Sequence, residues 1–356
     1  MMMRSVLKFI ALPLILSLLL ISCCKKSNPS PDAPLSPTNQ WARLTTIPGE
    51  NISALEIIND VIYAGSATSR KVYMSADNGA TWAVSAQIEP GIVSAIPDIH
   101  ITALAVFGNK IYAGTDYNIY SSNDNGKTWA DAGNPTEMVT SFATWNGNLY
   151  ASSYRSGVLK LNTITNRWES FTNGITYPGF DNTATKVIAT GTDIFAATAY
   201  SFATYSTAQQ AWVRKAYYNH ATYSTNTWWS DYTIDMVYNQ GTLLGQVYME
   251  YPTQQLIMRS DNQGTSWAAD TLRLKTDITK YLMHGLLVGS SKYYSISNQD
   301  TIAVGTWIQQ RDKAAPAGTT WANGEEFLPG ISTAVIRENN GVLFLATNKG
   351  LYYRKS

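Results

Sequence analysis

Ser75-Ala76-Asp77-Asn78-Gly79-Ala80-Thr81-Trp82 and Ser122-Asn123-Asp124-Asn125-Gly126-Lys127-Thr128-Trp129 are one pattern, S-x-D-x-G-x-T-W, written twice in a chain of 356 residues. A third copy, Ser260-Asp261-Asn262-Gln263-Gly264-Thr265-Ser266-Trp267, has Asn and Ser where Asp and Thr stood, and Gly318-Thr319-Thr320-Trp321 keeps the second half. Trp168 and Trp212 close weaker versions, and Trp41 stands upstream of them all. Along the series Trp41, Trp82, Trp129, Trp168, Trp212, Trp267 and Trp321 the steps are 41, 47, 39, 44, 55 and 54 residues. A period near 45 marks a propeller or solenoid array.

Between tryptophans each unit reads alike. A first apolar run (52–58, 101–107, 140–145, 187–190, 234–238) meets a turn such as Asn59-Asp60, Gly108-Asn109, Asn146-Gly147 or Gln240-Gly241, and such dipeptides are hairpin signals. A second run with small residues follows, as in Tyr63-Ala64-Gly65 and Tyr112-Ala113-Gly114, then an alternating third run, and the tryptophan opens a fourth. Four short strands per unit with no helical period predict an all-β fold of antiparallel blades set radially. The last unit stops before its own fourth strand, while Gln40-Trp41-Ala42-Arg43-Leu44 reads as a fourth strand with no blade before it. The expectation is a seven-bladed β-propeller of four-stranded blades, spanning 40–356 and closed by pairing of its N- and C-terminal strands, which also protects exposed edges.

The octapeptide resembles the Asp-box of the bacterial neuraminidase repeat, a superfamily that includes sialidase-like and assembly-factor-like propellers. The resemblance implies a hairpin between third and fourth strands, with Ser75, Asp77, Gly79, Thr81 and Trp82, Ser122, Asp124, Gly126, Thr128 and Trp129, and Gly264, Trp267, Gly318 and Trp321 in structural roles. Residue chemistry agrees, since glycine accepts positive φ and Asp, Ser and Thr bond turn amides. The tryptophans are expected between neighbouring blades, where each ring can bury roughly 150–250 Å². These positions frame the fold and do not define an activity.

At the N-terminus Arg4 and Lys8 precede the apolar run 9–21, too short to span a bilayer and suited to a signal-peptide core. Leu20-Ile21-Ser22-Cys23 resembles a bacterial lipobox, which implies cleavage before Cys23 and its lipidation; 1–22 is then a signal peptide. Residues 23–39, with Pro29, Pro31, Pro34 and Pro37, form a tether able to reach roughly 45 Å at about 3.1 Å per residue. With no acidic residue directly after Cys23, the expected address is the outer membrane of a Gram-negative envelope, with the membrane met through the lipid. The other cysteine is Cys24, so no disulfide is expected to staple the domain.

Without Arg4 and Lys8 the mature chain has 24 basic and 25 acidic residues, which disfavours nucleic acid as a partner. Charged residues are 14% and aromatics 12%, a surface suited to glycan or protein contacts on a monomeric domain. His100, His220 and His284 lie in separate units without metal-ligand spacing, so no metal and no cofactor are expected. Sialidases resembling this repeat carry an Arg-Ile-Pro where Thr46-Ile47-Pro48 stands here, and have six blades rather than seven, so the resemblance does not imply sialidase activity. The enzyme alternative is a glycoside hydrolase using two carboxylates from loop acids such as Asp98, Asp181, Asp231, Glu250, Asp270 and Asp277.

Recognition by a non-catalytic scaffold is the leading expectation, and the face opposite the S-x-D-x-G turns is where unit length varies. The longest insert, 215–233, carries Tyr217, Tyr218, His220, Tyr223, Trp228, Trp229, Asp231 and Tyr232, with Tyr251 across the same blade. Amphipathic aromatics suit stacking on sugars or anchoring a partner. Asp116-Tyr117 and Tyr154-Arg155 fall at turns on the same face and form a second candidate rim.

Overall fold

A computed structural model describes residues 38–89, 99–133, 137–175, 183–199, 201–215, 231–249, 254–270, 281–299, 305–316, 321 and 326–356. All of them fall in one compact unit. They form seven four-stranded antiparallel sheets, the blades of a propeller. In ring order the blades cover 52–84, 101–133, 139–170, 184–215, 231–270, 281–329 and 333–355. The inner strands are Ile52–Ile58, Ile101–Phe107, Val139–Trp145, Ala184–Ala189, Asp231–Asn239, Tyr281–Val288 and Thr333–Asn339. Each meets the inner strands on either side, and the seventh meets the first.

Closure occurs where the sequence places it. Ala42–Arg43 pairs with Gly350–Lys355, putting Ala42 opposite Tyr353 and Arg43 opposite Tyr352. The strand is only two residues long, and its neighbours secure it. Leu44 and Ile47 are buried in the cluster that joins blades 7 and 1, and the Arg354 guanidinium lies 5.2 Å from the Trp41 ring centroid, a cation–π contact.

The second strand of each blade is sandwiched between neighbours, which explains its near-continuous burial and small residues. A Cβ on Gly65 would lie 2.6 Å from Ile101 Cγ2, and one on Gly114 would lie 2.5 Å from Val139 Cγ1. The glycine of Tyr-Ala-Gly therefore admits the first residue of the next inner strand.

Every inner strand carries a register shift at the same place, at Ser53, Thr102, Thr140, Thr185, Ile234, His284 and Ala334. A bulge adds one residue and interrupts strand alternation. This is why the third, fourth and fifth inner strands begin earlier, at Val139, Ala184 and Asp231, than their apolar periodicity implies. The bulged side chains then tie blades together. Ser53 Oγ donates to Ile101 O at 2.6 Å, Thr102 Oγ1 to Val139 O at 2.6 Å, Thr140 Oγ1 to Ala184 O at 3.0 Å and Thr185 Oγ1 to Thr233 O at 2.5 Å. Between blades 6 and 7, Asn298 takes over, donating to Thr333 O and accepting from Thr333 N.

The tryptophans pack against the preceding blade. Trp129 Nε1 donates to Ala86 O at 3.1 Å, Trp212 Nε1 to Phe171 O at 2.6 Å and Trp321 Nε1 to Asp270 Oδ2 at 3.1 Å. Trp168 meets Tyr112 edge-on at 6.1 Å, and Trp267 meets Phe202 at 5.0 Å. Trp82 and Trp41 pack on the clusters containing Phe344 and Tyr294 respectively.

The repeated octapeptides form the hairpins between third and fourth strands. Gly79 N donates to Ser75 Oγ at 2.8 Å, and Thr81 N and Oγ1 donate to the Asp77 carboxylate at 2.8 and 2.5 Å. Gly126 and Thr128 repeat these bonds with Ser122 and Asp124. Not only the glycine is left-handed: Asn78, Asn125 and Gln263, just before it, have φ of 58°, 59° and 54°. Asn tolerates that region comparatively well. In the third copy Ser266 N still donates to the side-chain oxygen of Asn262, while Asn262 Nδ2 donates to Ser266 Oγ.

Bonds from the Thr128 hydroxyl and amide and from Ser122 lower the Asp124 pKa to about 2. Because the folded value is depressed, this contribution is complete above the unfolded carboxylate value of about 3.9 and is lost as pH falls through about 2. Carboxyl NMR titration is expected to place the Asp124 midpoint near the folded value, with Thr128→Ala moving it upward. A midpoint at the ordinary carboxylate value in the parent protein would reject this account.

Candidate functional site: the central channel and its open rim

Antiparallel order separates the faces of the ring. Turns between first and second strands and the S-x-D-x-G turns occupy one face; links between second and third strands and between blades occupy the other. On that second face, three large side chains of blades 2 and 3 are exposed: Tyr117 at 43%, Met138 at 36% and Tyr154 at 38%. Local bonds hold them out. Thr115 Oγ1 accepts from the amides of Tyr117 and Asn118 at 3.3 and 3.0 Å. Tyr154 N donates to Met138 O at 2.8 Å, joining two of the exposed residues. The polar margin comprises His100 Nδ1 and Asp116 Oδ2 at 3.0 Å, and Arg155 Nη1 and Glu137 Oε1 at 3.7 Å. Arg155 sits at φ 66°, so the turn has a defined left-handed bend.

Met138 also lines a cavity of about 310 Å³ walled by all seven inner strands. A second cavity of about 400 Å³ continues toward the opposite face. Glu56, Phe142, Lys186, Leu286 and Arg337 line both and form the partition between them.

Two ion pairs stand in this channel. Lys186 Nζ lies 2.6 Å from Asp235 Oδ1, linking blades 4 and 5. Asp235 also accepts from Met236 N and from Leu286 N of blade 6, both at 2.8 Å. Across the ring, Arg337 Nη2 lies 2.9 Å from Glu56 Oε2 and Arg337 Nε lies 3.2 Å from Glu56 Oε1, linking blades 7 and 1. Burial works against the Arg337 charge, but Glu56, and Asp235 at longer range, outweigh it and raise its pKa above the ordinary arginine value. The two cations and two carboxylates cancel.

Of the residues singled out from sequence, Arg155 stands at the rim beside Tyr154. Tyr217, Tyr218, Tyr223, Trp228, Trp229 and Tyr251 lie outside the described residues, as do Cys23, Gly318, Asp98, Asp181, Glu250 and Asp277. Asp231 is the first residue of the fifth inner strand, opposite Met249, so the strand takes the last three positions assigned to the insert. Asp270 is not a loop acid: it is buried, bonded by Arg311 and by the Trp321 indole. The channel charges were missed, although each left a signal as an ionisable residue inside an apolar inner-strand run.

No protein-family model matches the chain, and no curated protein matches it. Solved structures do. The extracellular domain of BT4673 from B. thetaiotaomicron superposes with a TM-score of 0.62 at 12% identity, covering 89% of this chain and 40% of that one. The chain therefore spans well under half the length of that neighbour. YCF48 from Cyanidioschyzon merolae gives 0.56 at 12% identity, covering 88% and 98%. A YCF48 structure with a D1 peptide bound gives 0.57 at 14% identity, covering 92% and 99%. At these identities the likeness is one of fold.

Proposed function

We propose that this chain is a non-catalytic recognition module of the bacterial cell envelope, tethered through lipid on Cys23, whose rim face binds an envelope protein or glycan. The observation that carries the reading is the grouping of Tyr117, Met138 and Tyr154 on one face, two of them joined by a backbone bond, at the mouth of the channel. Exposed aromatic anchors with a charged margin are the composition of binding hot spots. The neighbours support the class by analogy, one as an extracellular domain and one with a bound peptide. The hydrolase reading gains nothing from Glu56, Asp235 and Asp270, each committed to a cation.

The test is an envelope pull-down and a glycan array with the full chain and its variants. Replacing Tyr117 and Tyr154 together with alanine is expected to weaken binding by about 2 kcal/mol or more, roughly thirtyfold. Trp228→Ala reports on the insert. Binding indifferent to both would remove this face as the site, and a Cys23→Ser chain that stays in the membrane fraction would remove the anchor.

A further inference from the structure

The channel behind the rim holds hydrogen-bonding capacity that the protein leaves open. The Lys186 ammonium has three donors, and Asp235 occupies one at 2.6 Å. The hydroxyls of Ser53, Thr102 and Thr185 each donate to the adjoining blade, and their oxygens retain lone pairs that an incoming donor can use; Thr140 Oγ1 continues the row, bonded to both Ala184 O and Ser152 Oγ. These four groups occupy the same bulge position in consecutive blades, so they form an arc around one level of the cavity. Leu55, Leu104 and Phe142 supply apolar wall between them.

Charge narrows the ligand. Lys186 and Arg337 are matched by Asp235 and Glu56, so a charged guest would leave one charge uncompensated in a confined channel, which is unfavourable. Size narrows it again. A cavity of about 310 Å³ sits at the lower end of the range for small-molecule pockets and suits one ring rather than a chain. A peptide side chain would present a single polar tip to an arc of acceptors. A sugar ring presents hydroxyls around its edge.

We propose that the rim-side half of the channel binds one neutral sugar ring, free or as the end of a glycan, with Lys186 donating to a sugar oxygen and the bulge hydroxyls accepting from sugar O–H groups. The entry side rests on the recognition reading above; the pocket chemistry stands apart from it.

The experiment is calorimetric titration of the full chain with methyl glycosides of glucose, galactose, mannose and N-acetylglucosamine, with oligosaccharides of the same sugars, with glucuronate and with a glutamine-rich peptide. At least one neutral glycoside is expected to saturate at millimolar concentration, with glucuronate weaker. Val335→Phe and, separately, Ala334→Phe, both at cavity-lining positions, are expected to weaken binding at least tenfold with the melting temperature kept. Lys186→Met is expected to act in the same direction. Oligosaccharides binding as well as the monosaccharide identify a glycan terminus, and monosaccharide alone identifies a free sugar. No saturation by any neutral glycoside, unchanged affinity in the folded plug variants, or binding of the peptide in place of sugars would overturn the proposal. Retained capture of the envelope partner in that case leaves the rim reading standing.

Discussion

Asp235→Ala is expected to destabilise the propeller by about 3–5 kcal/mol, the range for removing one partner of a buried ion pair. The carboxylate is the meeting point of three blades: it holds Lys186 of blade 4, its own strand at Met236 N and blade 6 at Leu286 N. Alanine would leave an ammonium and two amides without their acceptor, and unsatisfied buried donors carry a desolvation penalty. Lys186→Met should cost less, because Asp235 keeps both amides. Asp235→Asn should fall between them, retaining one acceptor oxygen. Urea unfolding of the three variants gives the order, and an Asp235→Ala midpoint close to the parent's would show that the ring is not pinned there.

Trp321→Ala is the second large effect, again about 3–5 kcal/mol. The side chain is fully buried, packs beside Tyr293 at a centroid distance of 6.4 Å and donates to Asp270 of the preceding blade. Two losses combine, a cavity at the junction of blades 5 and 6 and a bond to a buried carboxylate. Trp321→Phe separates them. It keeps most of the apolar volume and removes the N–H, while Arg311 still holds Asp270, so its cost should be about 1.5–3 kcal/mol. Equal destabilisation by both replacements in calorimetry would show that packing at this junction matters little.

The frame was legible because it repeats. Tryptophans at a period near 45, dipeptide turns and an unmatched first strand are local signals, and each points to the same ring. The site was less legible, and the reasons are physical. Lys186 and Asp235 sit in different repeats, as do Glu56 and Arg337, so no motif spacing brings either pair together. Only the radial arrangement turns residues 49 and 281 positions apart into neighbours. The bulges hid themselves in a similar way. Their added residue breaks the two-residue alternation that identifies a strand, so Val139, Ala184 and Asp231 read as loop although they pair. Tyr117, Tyr154 and Arg155 were visible as turn residues; Met138 was not, since its exposure depends on the backbone bond to Tyr154.

The two-residue closing strand has a temporal meaning as well as a geometric one. Blades 1 to 6 are built from strands contiguous in the chain, so each can assemble from its own segment through local hairpins. Blade 7 alone joins opposite ends of the domain, and Ala42 and Arg43 leave the ribosome long before Tyr352 and Tyr353. Contacts of such sequence separation are the slow ones to form. Until Gly350–Lys355 arrives, the first segment has no partner, and a growing arc of blades stays open at a seam that the Glu56 and Arg337 pair can seal only once the seventh inner strand has emerged.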